Sequence, residues 1–334
     1  MSRSQRDDAL VRRLIPISVV CLCASALVLG VSTASAAFPG KPGPIVYSKV
    51  DDSEIEEGRL RSVGGLYIHG PRVRQQARPL TTDTGDHSPA FSSDGRQVVF
   101  VSDGEAARTT SIQVIGTDGS GRREVIARGG GPTFFPSGRA IAFVRLAGGH
   151  NHIFTVRLDG SGLRQLTRGP HDNHGPVVSP NGRRIVFASD RDPDGRRDRS
   201  DIFTMRSNGS GVRVLIDGPR SESEPDYAPD GRRIVFAGNR SDRSDIYVAQ
   251  VKGGRAKRLT RCRETPIRCP RYQHPVFSPD GRHVAFLNSG RRSSSIEVIR
   301  SDGKRSIGSF DTAGTEEEGF GSRLGVPAWG PRPR

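Results

Sequence analysis

One eight-residue signature recurs five times along this 334-residue chain, and a chain that repeats itself in this way has to fold as a stack or ring of like units. The first copy is Pro89-Ala90-Phe91-Ser92-Ser93-Asp94-Gly95-Arg96, followed by Val98-Val99-Phe100. It returns at Pro132 to Arg139 before Ile141-Ala142-Phe143, and at Pro176 to Arg183 before Ile185-Val186-Phe187. Two further copies run from Pro225 to Arg232 before Ile234-Val235-Phe236, and from Pro275 to Arg282 before Val284-Ala285-Phe286. The turn glycines 95, 138, 182, 231 and 281 set a period of 43 to 50 residues, which is the size of a four-stranded propeller blade.

Each unit carries the strand chemistry that a blade needs. The Asp-Gly, Asn-Gly or Ser-Gly pair takes the positive φ of a tight hairpin turn and folds two strands back on each other. A third strand follows, as in Ile112–Ile115, Ile153–Val156, Ile202–Met205, Ile246–Ala249 and Ile296–Ile299. After a second polar turn such as Asp118-Gly119-Ser120-Gly121 or Asn208-Gly209-Ser210-Gly211, a short fourth strand such as Gln165-Leu166-Thr167 or Arg258-Leu259-Thr260 ends the unit. Material at the two ends of the chain supplies a sixth, split blade. Ile45–Ser48, Leu66–His69 and Pro79–Thr81 read as its second, third and fourth strands, and Val326-Pro327-Ala328-Trp329-Gly330 as its first. The expected fold is all-β: a six-bladed β-propeller whose ring is closed by N-terminal and C-terminal strands, which removes exposed sheet edges. The blades are expected at 45–82 with 326–330, 89–127, 132–168, 176–217, 225–260 and 275–310, with 37–44 as a short leader and 331–334 as a tail.

Ahead of the repeats, Arg12-Arg13 precedes an apolar run from Leu14 to Val31 and then Ala34-Ser35-Ala36, the small-residue pattern of signal-peptidase cleavage. Residues 1–36 are therefore expected to direct export to a periplasm or the outside and to be removed after Ala36, leaving no integral membrane segment. Cys21 and Cys23 would leave with them. Cys262 and Cys269 would remain as a pair in an oxidising compartment and are expected to form a disulfide. The net charge of +15 becomes +13 after processing and favours anionic partners. Arg is spread over nearly every loop with few aromatics beside it, so nucleic acid is not expected.

The repeats resemble those of the TolB-type, WD40-like propeller family, which carry Pro-x-[Trp/Phe]-Ser-Pro-Asp-Gly, then Ile-x-Phe, then Asp-Ile-[Tyr/Phe]-Val. The resemblance covers nearly all of 45–330. It implies a scaffold for protein contacts, expected here as a monomer. TolB itself carries an α/β domain ahead of its propeller that Ala37–Pro44 does not match, so a role in the Tol–Pal system is not expected.

The residues entering each first strand are polar and are expected to ring one mouth of the channel: Asp86 and His87, Asn173 and His174, Glu222 and Glu224, Gln273 and His274. These are the binding candidates. If His87, His174 and His274 converged, they could instead hold a transition metal, as some exported lyases of related fold do with His and Gln, and act on acidic polysaccharide. A second candidate is the loop bearing Asp190, Asp192, Asp194, Asp198 and Asp201, whose spacing around Gly195 can wrap Ca²⁺. Against it stand Arg191, Arg196, Arg197 and Arg199, which would neutralise the loop without an ion. There is no Gly-x-Ser-x-Gly nucleophile elbow. The expected function is binding without catalysis of a protein, a peptide or an anionic envelope polymer, with no cofactor required.

Overall fold

In the computed structural model, the described residues are 37–333 except 57–58, 71–75, 105–108, 192–198, 219–220, 239–243, 262–269, 291–293, 305 and 312–322. They form twenty-four strands in six four-stranded antiparallel sheets, numbered here as blades 1 to 6. The innermost strands are Asp86–Phe91, Gly130–Phe134, Asn173–Val178, Glu222–Tyr227 and Arg271–Phe277 in blades 1 to 5, and Arg323–Pro331 in blade 6. Each inner strand touches the next, and blade 6 returns to blade 1, so the ring is closed around one axis. No helix among the described residues is long and apolar enough to cross a membrane.

The signature residues have identifiable jobs. In the first turn, Ser92 Oγ donates to Asp94 Oδ1 at 2.6 Å, and the same oxygen accepts the Arg96 N–H at 3.0 Å. Ser179 with Asn181 and Ser278 with Asp280 repeat the arrangement. The glycine that follows has φ between +65° and +71° in all five blades, a region that residues with a Cβ adopt at a cost. The last Phe of each second strand, namely Phe100, Phe143, Phe187, Phe236 and Phe286, is fully buried between blades. Three of them pack across the sheet on the third strand at 5.8 to 5.9 Å between ring centres, Phe187 on Phe203 and Phe236 on Tyr247 stacked and Phe143 on Phe154 tilted. Such pairs contribute about 0.5–1.5 kcal/mol each beyond area burial. The Leu-Thr ending ties the fourth strand back to the third, because Thr81, Thr167 and Thr260 accept the N–H groups of Leu66, Ile153 and Ile246 through their hydroxyls.

Blade 6 joins the two ends of the chain. Ile45, Val46 and Tyr47 pair with Trp329, Ala328 and Pro327, and the closing strand begins at Arg323, three residues earlier than its apolar core suggested. Pro331, expected in a tail, pairs with Pro42. The leader also differs from expectation. Ala37 and Phe38 are 1% and 2% exposed and belong to the core, while Gly40 donates its N–H to the Pro279 carbonyl at the first-turn end of blade 5. The chain thus reaches the inner strands from that end before blade 6 begins.

Candidate functional site at the channel mouth

Every inner strand of blades 1 to 5 has a bulge at the same place. Pairing skips between His87 and Ala90, Gly130 and Thr133, His174 and Val177, Ser223 and Asp226, and Gln273 and Val276. The skipped residues end in a proline, which has no N–H to give the ladder. The residue before that proline is left-handed throughout: Ser88 at φ 60°, Gly131 at 54°, Gly175 at 55°, Glu224 at 57° and His274 at 52°. Two blades use glycine there. The other three hold a side chain in a conformation that costs on the order of 1–3 kcal/mol, and such strain clusters at ligand sites.

The eight candidates fall into two sets, a buried set at the strand starts and a second set at or beside the bulges. Asp86, Asn173 and Glu222 start their strands and are buried. Asp86 takes a bidentate ion pair from Arg122, Nη1 to Oδ2 at 2.8 Å and Nη2 to Oδ1 at 3.0 Å, and Arg122 also lies over the Phe100 ring. Asn173 donates to the carbonyls of Asn151 and His171 and accepts from Ser189. Glu222 lies against Gly218, where any side chain would collide with its carboxylate. Asp86 braces blade 1 from within, while Asn173 and Glu222 reach back to the preceding blade.

His87, His174, Gln273 and His274 are half-buried, and Glu224 is nearly buried. His274 Nδ1 lies 3.1 Å from Glu224 Oε1, and the His274 backbone N–H donates to Glu224 Oε2 at 2.6 Å, so the two residues lock neighbouring blades together. His87 Nδ1 lies 2.7 Å from Ser88 Oγ, and its Nε2 lies 3.4 Å from Asp103. Burial lowers the His174 pKa, opposed by Asp172 and then Asp190, and its Nδ1 has no hydrogen-bond partner. Among the described residues, no three His, Cys, Asp or Glu side chains gather closely enough to hold a metal ion.

Asp192, Asp194 and Asp198 of the candidate Ca²⁺ loop lie outside the described residues, as do Cys262 and Cys269. Of the remaining loop carboxylates, Asp190 accepts the Asp172 N–H at 2.7 Å. Asp201 is buried at the repeat position that Asp245 fills in blade 4, where Asp245 binds Arg258 and Thr260.

Sequence reading missed two residues of the inner strands. Ser88 shares the left-handed position with Glu224 and His274, and the shared step before proline was the available signal. Asp226 is the other. The residue after the proline is Ala90, Thr133, Val177, Asp226, Val276 or Ala328 around the ring, all at most 1% exposed, so one carboxylate stands where five blades carry no charge. Aligning the repeats would have exposed it.

The TolB beta propeller domain model matches residues 80–196 and 194–319. The chain belongs to the TolB beta propeller domain family. TolB from Acinetobacter baumannii superposes with a TM-score of 0.70 at 18% identity, over 87% of this chain and 67% of that one. A putative TolB from Agrobacterium tumefaciens gives 0.59 at 20% identity, over 80% of this chain and 88% of that one. Both likenesses concern the fold. A dipeptidyl-peptidase 5 of Porphyromonas endodontalis is 27% identical over 110 residues, 30% of this TolB-family chain and 16% of the peptidase. The chain thus matches about a sixth of that relative's length.

Proposed function

We propose that the chain is an exported binding propeller, cut after Ala36, that recognises a protein or peptide segment at the channel mouth, where His87, His174, Gln273 and His274 are part-exposed and Glu224 holds His274. One observation carries the reading: three side chains are held in a strained backbone conformation at equivalent positions, where two blades use glycine without strain. Strain of this kind persists where the side chain is needed. The overall positive charge assists encounter with an acidic segment or an anionic envelope polymer. Propellers suit recognition of this type, since a rigid ring presents loops and a central mouth.

The lyase reading needs His87, His174 and His274 to share one ion. His274 turns instead to Glu224, and His87 to Ser88. Metal content of the purified protein, with melting curves in EDTA, Ca²⁺, Mn²⁺ and Zn²⁺, separates the readings. Binding without catalysis predicts that captured partners survive EDTA and are lost with Glu224→Gln combined with His274→Ala. A stoichiometric transition metal lost with His174→Ala or His274→Ala would overturn it. Cys262 and Cys269 are proposed to pair, which a 2 Da mass gain on reduction would register.

A further inference from the structure

Asp226 is buried and, among the described residues, has no cation beside it. It points forward from blade 4 to blade 5, where Oδ2 accepts the Phe277 N–H at 2.7 Å, while its neighbour Tyr227 turns back toward Thr204 of blade 3. Oδ1 has no hydrogen-bond partner of good geometry. Burial drives its pKa well above the ordinary carboxylate value, and only the backbone N–H groups of Phe277, Tyr227 and Ala37 pull it back. Among the described residues, no Lys or Arg side chain is among the groups acting on it. An isolated charge in such a place costs several kcal/mol, so it is retained where something ionic completes it.

The third of those N–H groups belongs to Ala37, which is 1% exposed, packs in one buried cluster with Ala228 and Phe277 beside Asp226, and is the residue that the cleavage pattern makes first in the processed chain. We infer that Asp226 is the receptor for the α-ammonium group of Ala37, created when residues 1–36 are removed. A signal peptidase adds water across the Ala36–Ala37 bond. Ala36 leaves with a carboxylate, and the Ala37 nitrogen takes up protons to become an ammonium. An amide with one N–H thereby becomes a cation with three, placed beside the carboxylate whose Oδ1 lacks a partner. The resulting contact is a charge-assisted hydrogen bond in a site that excludes water.

The leader is already built for this seat. Ala37 and Phe38 are buried among the cores of the inner strands, so the new ammonium group is held where water is excluded. The inference rests on the export and cleavage reading and is independent of what the mouth binds.

The test uses protein starting at Ala37, released from a fusion by a protease that leaves no extra residue, and a version with Gly-Ser placed ahead of Ala37. Each is made with Asp226 and with Asp226→Asn. The form starting at Ala37 is expected to melt at least about 5 °C above the extended form, and Asp226→Asn is expected to erase that gap. Equal melting temperatures, or a gap that survives Asp226→Asn, would overturn the assignment. If Asp226→Asn does not fold, acetylation of the unmodified protein decides. The seated amine should react at least about tenfold more slowly in folded than in unfolded protein, and equal rates would refute the pair. Intact mass of the exported protein addresses processing separately: a first residue other than Ala37 overturns the proposal while leaving the mouth's binding role untouched.

Discussion

His274 and Glu224 stand fifty residues apart in blades 5 and 4, both with left-handed φ, and meet twice: ring Nδ1 to Oε1 at 3.1 Å and backbone N–H to Oε2 at 2.6 Å. A glycine at 274 keeps the second contact and loses the first. His274→Gly should therefore leave stability within about 1 kcal/mol of the parent, relief of strain offsetting the lost ring contact. Partner capture should fall at least tenfold. Urea melts and pull-downs from the same preparations check both parts, and an unchanged pull-down would remove His274 from the site.

Ser88 isolates the strain itself. Its conformation at φ 60° is one that blades 2 and 3 assign to glycine. Ser88→Gly should be neutral to stabilising, by up to about 1 kcal/mol, whereas Gly175→Ala at φ 55° should cost about 1–2 kcal/mol. Chemical denaturation of the two variants is sufficient, and a large loss with Ser88→Gly would mean that its hydroxyl is structural.

The fold was legible because a propeller repeats the same local chemistry: a turn glycine and a buried Phe in all five copies, with a serine, aspartate or asparagine around the turn and a threonine capping the third strand in several of them. Periodicity averages out local ambiguity. The mouth was less legible, since strand alternation assigns Asp86 and His87 opposite roles although they are adjacent, and sequence proximity to Pro89 favoured both equally. Asp226 and the buried leader were not seen at all. One exceptional residue vanishes in a search for what repeats, and the depth at which Ala37 and Phe38 sit depends on a ring assembled from residues hundreds of positions away.

Arg122 and Asp86 provide a stability test away from the mouth. The Asp86 side chain is fully buried and Arg122 is about one-third exposed. Arg122→Ala leaves that carboxylate without its cation and should cost about 2–4 kcal/mol. Asp86→Asn retains hydrogen-bonding capacity without the charge and should cost less. Equal losses would mean that packing of Arg122 on Phe100 matters more than the ion pair.

His174 and His152 both have pKa values lowered chiefly by burial. The folded state then binds protons more weakly than the unfolded chain, whose histidines titrate near about 6.5. Their neutral forms fit the fold, so stability is complete above that value and declines as pH falls through it. Melting temperature should drop between pH 7 and pH 5, and His174→Asn should flatten the decline. A melting temperature that rises on acidification over this interval would reverse the sign and refute the burial argument.

The central claim, that the mouth is the binding surface, is tested most directly by site-specific photo-crosslinking in the exporting cell. A photoreactive residue replaces His87 at the mouth in one variant and the exposed Leu163 on the outer turns in another. Recognition at the mouth predicts a discrete crosslinked protein from position 87 that disappears when Glu224→Gln and His274→Ala are added, and none from position 163. A crosslink from position 163 alone, or one from position 87 that is indifferent to Glu224 and His274, would contradict it.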